Sequence, residues 1–150
     1  MAFAAPSLKG RALRLLSQRE HSRAELERKL KKYEEEPGSL AAALDELAAK
    51  DFISEARVVQ SVLHQRAPRL GALRVRQELQ HKGIAPAAVT EAVAGLQDTE
   101  YERALALWRR RFDAPPADAR ERARQSRFLL QRGFAGGTVA KVLKTDFEDE

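Results

Sequence analysis

The sequence predicts an all-α protein built of three tandem three-helix repeats, helix-turn-helix-like in layout and set in an elongated, curved array. Three observations predict this. Apolar residues recur at helical spacing and nowhere at sustained strand alternation; capping residues and glycine stops punctuate the chain; and one pattern of helix, glycine, apolar residue and short helix recurs about fifty residues apart.

In the first repeat, Ser22 with Glu25 forms a capping box, in which the serine oxygen accepts an orphan amide and the glutamate reaches back to the cap. Leu26, Leu30 and Tyr33 follow at helical spacing, which places all three toward a core. The segment Glu34-Glu35-Glu36-Pro37-Gly38 stands where later repeats have a single glycine stop, and Leu40, Leu44 and Leu47 mark the next helix. In the second repeat Ala72, Val75 and Leu79 form the stripe, Gly83 ends the helix, Pro86 fits a first helical turn, and Val89 and Val93 continue. In the third, Thr99 with Glu102 fits a second capping box and Asp118 with Glu121 a near variant. Leu105, Trp108 and Phe112 share one apolar stripe and read as core rather than as exposed stacking rings, as do Phe128 and Phe134. Lys82-Gly83-Ile84 followed by Val89 and Val93 matches Arg132-Gly133-Phe134 followed by Val139 and Leu143, with identical internal spacing. The repeats fall at 8–54, 55–97 and 98–144, with an acidic tail at 145–150. A three-helix unit of this size buries little alone, so neighbours are expected to share core. No apolar heptad seam persists, and a monomer is expected.

With 27 Lys and Arg against 22 Asp and Glu, the chain is net positive and suits an anionic partner. Four of its acids crowd into residues 146–150, so the body is more basic than the whole; that tail is either a solvated end or a shield for a basic surface. Cysteine is absent, which removes disulfides, thiolate nucleophiles and cysteine-ligated metals. His21, His64 and His81 are too dispersed for a helical metal site, and His21, just before the Ser22 cap, reads as a locally bonded or packed residue. No phosphate-binding glycine loop and no nucleophile elbow is present, and Glu34, Glu35 and Glu36 are consecutive rather than held apart as an acid–base pair. The expectation is a non-enzymatic protein without cofactor or metal. Neither a signal peptide nor a membrane span is expected, and the cytoplasm is the expected compartment.

Three stretches carry a family resemblance. REHSRAELERKL at 19–30, RVRQELQHKGI at 74–84 and RFLLQRGF at 127–134 resemble, in order and spacing, the N-terminal, central and C-terminal signatures of the RecX family. The chain departs from many members at APRLG (67–71) and SEARV (54–58). The resemblance implies tandem three-helix repeats that bind along the groove of RecA filaments on DNA and inhibit filament growth, ATP hydrolysis and strand exchange. The composition alone reaches only a basic helical repeat protein.

The candidate partner-binding residues are Arg66, Arg69, Arg74, Arg76 and Lys82 around the middle helix, with Arg124 and Arg127 in the last repeat. On the middle helix only Glu78 opposes the cations, and Arg74 and Arg76 are expected on the exposed side while Val75 and Leu79 face inward. Such a cluster is either a solvated face or an electrostatic contact surface for a RecA nucleoprotein filament, with weak, sequence-independent DNA contact as a further expectation. Arg109-Arg110-Arg111 and the arginines at 120, 122, 124 and 127 either assemble one basic site from two helices or are solvated singly, since adjacent helical residues point about 100 degrees apart. The alternative function is a helix-turn-helix DNA-binding protein reading base edges with Arg and Gln.

Overall fold

A computed structural model of the chain describes residues 5 to 145. The acidic residues 146–150 of the tail lie outside the described residues. Among those described there is no strand, and the chain runs through α1 (Leu8–Gln18), α2 (Arg23–Leu30), a 3₁₀ turn (Lys31–Tyr33), α3 (Ser39–Ala49), α4 (Glu55–Arg66), α5 (Ala72–His81), α6 (Pro86–Gln97), α7 (Glu100–Arg111), α8 (Ala119–Gln131) and α9 (Gly136–Lys144). The fold separates into two compact units, Met1–Ser61 with His81–Ile84, and Val62–Gln80 with Ala85–Glu150.

In the first unit, Ser7 caps α1 by accepting from the Gly10 amide, and the Ser22–Glu25 capping box is present in full. The core comprises Ala12, Leu26, Leu30, Leu40, Leu44 and Leu47, all buried, from α1, α2 and α3. Tyr33 departs from its stripe. The last turn of the helix tightens to 3₁₀, which rotates the ring out to 39% exposure, and Arg11 lies over it 3.7 Å from the ring centroid. Glu34 is half-buried rather than solvated, because its carboxylate accepts from the Leu40 amide at 2.9 Å and ties down the start of α3. His21 is buried; its Nδ1 lies 3.0 Å from the Arg19 carbonyl and its Nε2 3.0 Å from the Lys29 ammonium.

A joint closes this unit. The Ser22 hydroxyl donates to the Lys82 carbonyl at 2.5 Å, and Gly83, at φ +74°, sits so close that an added Cβ would lie 2.6 Å from that of Ala24. The helix-ending glycine therefore serves twice, as a left-handed stop for α5 and as a flat surface for the start of α2.

The second unit has its own core of Ala104, Trp108, Phe112, Leu129, Phe134, Val139, Val142 and Leu143, with Leu105 and Phe128 partly buried against it. The Trp108 indole donates to Gln125 Oε1 at 2.8 Å, and Gln125 Nε2 donates onward to the Ala114 carbonyl at 3.1 Å, so a buried amide ties the α7–α8 loop to the core. Asp118 caps α8 through the Glu121 amide. Thr99 does not form the predicted box. Its hydroxyl donates to the Leu96 carbonyl and accepts from Arg103 Nε, while its backbone (ψ 4°) is not in the extended conformation that N-caps adopt.

The same kind of joint recurs here. The Gly71 amide donates to the Arg132 carbonyl at 2.7 Å and the Leu73 amide to the Gly133 carbonyl at 3.2 Å, with Gly133 at φ +88°. Gly71 occupies the position before its helix that Ser22 occupies before α2, yet it has no side chain to act as a cap. Glu100 supplies one from α7: its buried carboxylate accepts from the Ala72 amide and from the Thr138 hydroxyl, each at 2.9 Å. Arg103 then staples the intervening turn by donating to the Ala67 and Leu70 carbonyls, both at 2.7 Å, and burial pushes its pKa below the usual arginine value against the pull of Glu100.

Candidate basic contact surface

The predicted cations meet different fates. On α5, Val75 and Leu79 are fully buried and Arg74 and Arg76 exposed, the division that the helical stripe predicts. Arg76 and Arg69 form no ion pair among the described residues. Arg66 is drawn onto Glu78, Nε to Oε1 at 3.0 Å, so the one acid of the middle helix neutralises one of its neighbours. Arg74 reaches the end of α8, where Nη1 donates to the Gln131 carbonyl at 2.6 Å.

Lys82 belongs to the first unit and is committed there. Its ammonium, only 17% exposed, lies 3.2 Å from Glu25, whose carboxylate also takes a 2.7 Å contact from Arg19 and the Ser22 amide at 3.1 Å. Burial alone would raise the Glu25 pKa, but Arg19, the capping-box amide and Lys82 together outweigh it and hold the carboxyl at about 2. The geometry makes Lys82 a positioning residue of the joint.

Arg124 and Arg127 are brought together. They line a cleft of about 320 Å³ in the second unit, with Arg111 from the end of α7, Arg132 from the turn after α8, and Phe112, Phe128 and Gln131. Two aromatic rings form its platform: Phe112 and Phe128 meet edge to face at 5.3 Å between centroids. Guanidinium groups pack over them, Arg132 at 3.8 Å from the Phe128 centroid, Arg111 at 5.0 Å and Arg124 at 5.3 Å from that of Phe112. A stacked guanidinium keeps its full charge, and although Arg132 commits Nη1 to the Phe128 carbonyl at 2.9 Å, the remaining N–H donors suit the paired oxygens of carboxylates and phosphates. Glu121 tempers it, accepting from Arg124 at 2.9 Å. Gln131 joins the two halves of the predicted set, since it lines the cleft while its carbonyl anchors Arg74.

Of the arginines of α7 and α8, Arg111, Arg124 and Arg127 line one cleft, whereas Arg109, Arg110, Arg120 and Arg122 are not among its lining residues. Arg132, outside the expected set, enters it through its contact with the Phe128 ring. The available signal was Arg132 beside its glycine stop, at the place Lys82 holds in the preceding repeat. Among the described residues no group of three or more His, Cys, Asp or Glu could hold a metal ion, and no helix is long and apolar enough to cross a membrane.

Family models match nearly end to end: the first three-helix domain of RecX over residues 9–47, the second over 54–93 and the third over 98–143. The chain belongs to the RecX family. Curated relatives named regulatory protein RecX include one from Leptothrix cholodnii, 56% identical over 92% of this chain and 88% of that protein. Another, from Herminiimonas arsenicoxydans, is 45% identical over the whole of this chain and 99% of its own length. A crystal structure of RecX from Lactobacillus salivarius shares the fold, with a TM-score of 0.74 over 91% of this chain and 92% of that one, at 19% identity. The three tandem three-helix domains are those of RecX, and the role is regulatory.

Proposed function

We propose that this RecX protein binds RecA filaments on DNA and restrains them, lowering filament extension, ATP hydrolysis and strand exchange without chemistry of its own. The observation that carries the reading is the arginine cleft on the Phe112–Phe128 platform, a preorganised anion-binding surface in a chain whose relatives are named regulators. The proposal assigns Arg69, Arg74 and Arg76 to the partner contact as well, together with Arg66, which is paired with Glu78, and Lys82, which is paired with Glu25 in the first unit. The division into repeats at 8–54, 55–97 and 98–144 and a cytoplasmic monomer belong to the same proposal.

The mechanism is steric and electrostatic. A protein that lies on a filament inhibits only if it prefers the inactive arrangement of subunits, because a ligand shifts an equilibrium by its differential affinity alone. Complementary charge speeds the encounter and fixes the register. The test is RecA ATPase on single-stranded DNA with and without this chain. A dose-dependent fall in rate supports the proposal. An unchanged rate overturns it, and a footprint on one duplex sequence would assign the helix-turn-helix reading instead.

A further inference from the structure

The cations of the first unit divide into those held by a carboxylate and those that are not. Lys9, Arg19, Arg23, Lys50, Arg57 and Lys82 each form an ion pair with a carboxylate. Of the cations that form none among the described residues, Arg11, Arg14, Arg28, Lys29 and Lys32 line one cavity of about 400 Å³ together with Tyr33, while Lys31 lies in a neighbouring cleft with Glu27 and Glu34, a cleft that Arg28 also borders. Among the described residues no carboxylate lines this cavity. Concentrated like charge is costly unless something offsets it, and unpaired cations normally spread apart over a surface.

Three of these cations lie against neutral groups that leave their charge intact. The Lys29 ammonium donates to His21 Nε2 at 3.0 Å, while Nδ1 of the same buried ring donates to the Arg19 carbonyl at 3.0 Å. Both ring nitrogens are thereby used by a neutral imidazole, and burial, the leading influence, pushes the His21 pKa below its ordinary value. Arg11 stacks on Tyr33 at 3.7 Å and Lys32 lies 5.2 Å from the same ring, a second neutral anchor. The floor is apolar, from Leu15 and Leu30. The cavity volume falls within the range of about 300–1,000 Å³ common for small-ligand sites.

We propose that this cavity is a nucleotide-phosphate site, in which Arg11, Arg14, Arg28, Lys29 and Lys32 hold the phosphate oxygens of a nucleotide unit and the exposed Tyr33 packs against its base or sugar. A preorganised ring of uncompensated cations fits a group carrying charge on several oxygens, and an adjacent aromatic ring fits the rest of a nucleotide better than it fits a bare inorganic ion. The ligand is either a unit of a single strand threading past α1 and α2 or a free nucleoside polyphosphate. The site lies apart from the arginine cleft in residues and does not depend on contact with RecA.

The experiment is fluorescence anisotropy of a labelled oligothymidylate of about ten nucleotides titrated with the full chain in the absence of RecA, at two salt concentrations. The double variant Arg14→Glu/Arg28→Glu, at two exposed positions, is expected to weaken binding at least about tenfold and to flatten the salt dependence, with an unchanged melting curve. Tyr33→Ala should weaken binding roughly tenfold while keeping the salt slope, since it removes stacking and leaves the charges. Competition with ATP separates the sources: displacement assigns the cavity to free nucleotides, and resistance to ATP with displacement by unlabelled strand assigns it to the strand. Amide shifts on titrating the parent chain with ATP or oligonucleotide provide a readout without mutation, and should cluster in residues 10–15 and 28–33. Full binding by the folded double variant, or shifts confined to residues 111–132, overturns the proposal.

Discussion

The Gly71 amide donates to the Arg132 carbonyl at 2.7 Å, and a Cβ added at Gly71 would lie 2.4 Å from the carbonyl carbon of Gly133. Backbone meets backbone there, so no side chain can swing aside. Gly71→Ala is expected to destabilise the protein by about 1–3 kcal/mol, the usual cost of overpacking, and at the upper end because the obstacle is rigid. Gly95→Ala on α6 is the contrast. Among the described residues nothing lies within 4 Å of the added methyl, and the substitution should stabilise by about 0.4–1 kcal/mol through the unfolded state. Urea denaturation of both variants checks the pair; equal shifts would show that the close approach at Gly71 is not a constraint.

Glu100 acts as a remote cap for α5, holding the Ala72 amide and the Thr138 hydroxyl on its two oxygens. Glu100→Ala leaves a buried donor unsatisfied and should cost about 1–3 kcal/mol. Glu100→Gln should cost less, because the amide oxygen can still accept from Ala72. The order Ala worse than Gln in thermal melts is the diagnostic result, and two equal losses would count against the capping role.

Acid should unfold the first unit through two groups with the same sign. His21 is buried neutral with a lowered pKa, so the unfolded chain binds its proton more readily, and that part of the stability is lost as pH falls through the ordinary value of 6.5 and below. Glu25 has its pKa lowered from 4.5 to about 2, so its contribution is full above 4.5 and drains away toward 2. A shift of that size corresponds to something on the order of 3 kcal/mol. Glu25→Gln should be less stable at neutral pH and have a flatter stability profile between pH 4.5 and 2. An unaltered profile would mean that Lys82 and Arg19 do not stabilise the carboxylate.

Much of this fold was legible because its signals are local. The Ser22–Glu25 box, Pro86 in a first turn and the Gly83 and Gly133 stops depend on residues within a few positions of one another, and each has its predicted role. Tyr33 and Thr99 broke their patterns for reasons outside that range. A 3₁₀ turn rotated the tyrosine outward, and Arg103, needed to staple residues 67–71, competes for the threonine hydroxyl. The candidate site was legible in kind but not in membership. A charge in a sequence has no partner until the chain folds, and folding gives Arg66 to Glu78 and Lys82 to Glu25, while Arg69, Arg76 and Arg127 form no ion pair among the described residues. The five cations of the cavity beside Tyr33 were invisible as a group, since α1, α2 and the 3₁₀ turn supply them from separate stretches.

The choice of charge reversals follows from those pairings. Arg74→Glu would confound two effects, because Arg74 ties the Gln131 carbonyl and its stem packs where a Cβ on Gly133 would lie 2.3 Å away. A carboxylate there would also face the C-terminal end of α8, where negative charge is unfavourable. That variant is expected to lose about 1–2 kcal/mol whatever its effect on a partner. Arg76→Glu combined with Arg127→Glu is cleaner, since both side chains are exposed and neither forms an ion pair among the described residues. The double variant should melt within about 0.5 kcal/mol of the parent, as surface substitutions usually do. It should nonetheless need at least about tenfold more protein to halve RecA ATPase, through lost complementarity and new repulsion against an acidic surface. Leu79→Ala sets the opposite control: Leu79 is fully buried, so inhibition should fall through a loss of about 2–5 kcal/mol in stability, visible in the melt. A folded Arg76→Glu/Arg127→Glu protein that inhibits at the parental concentration would show that these arginines are only solvated, and would remove both of them from the contact surface.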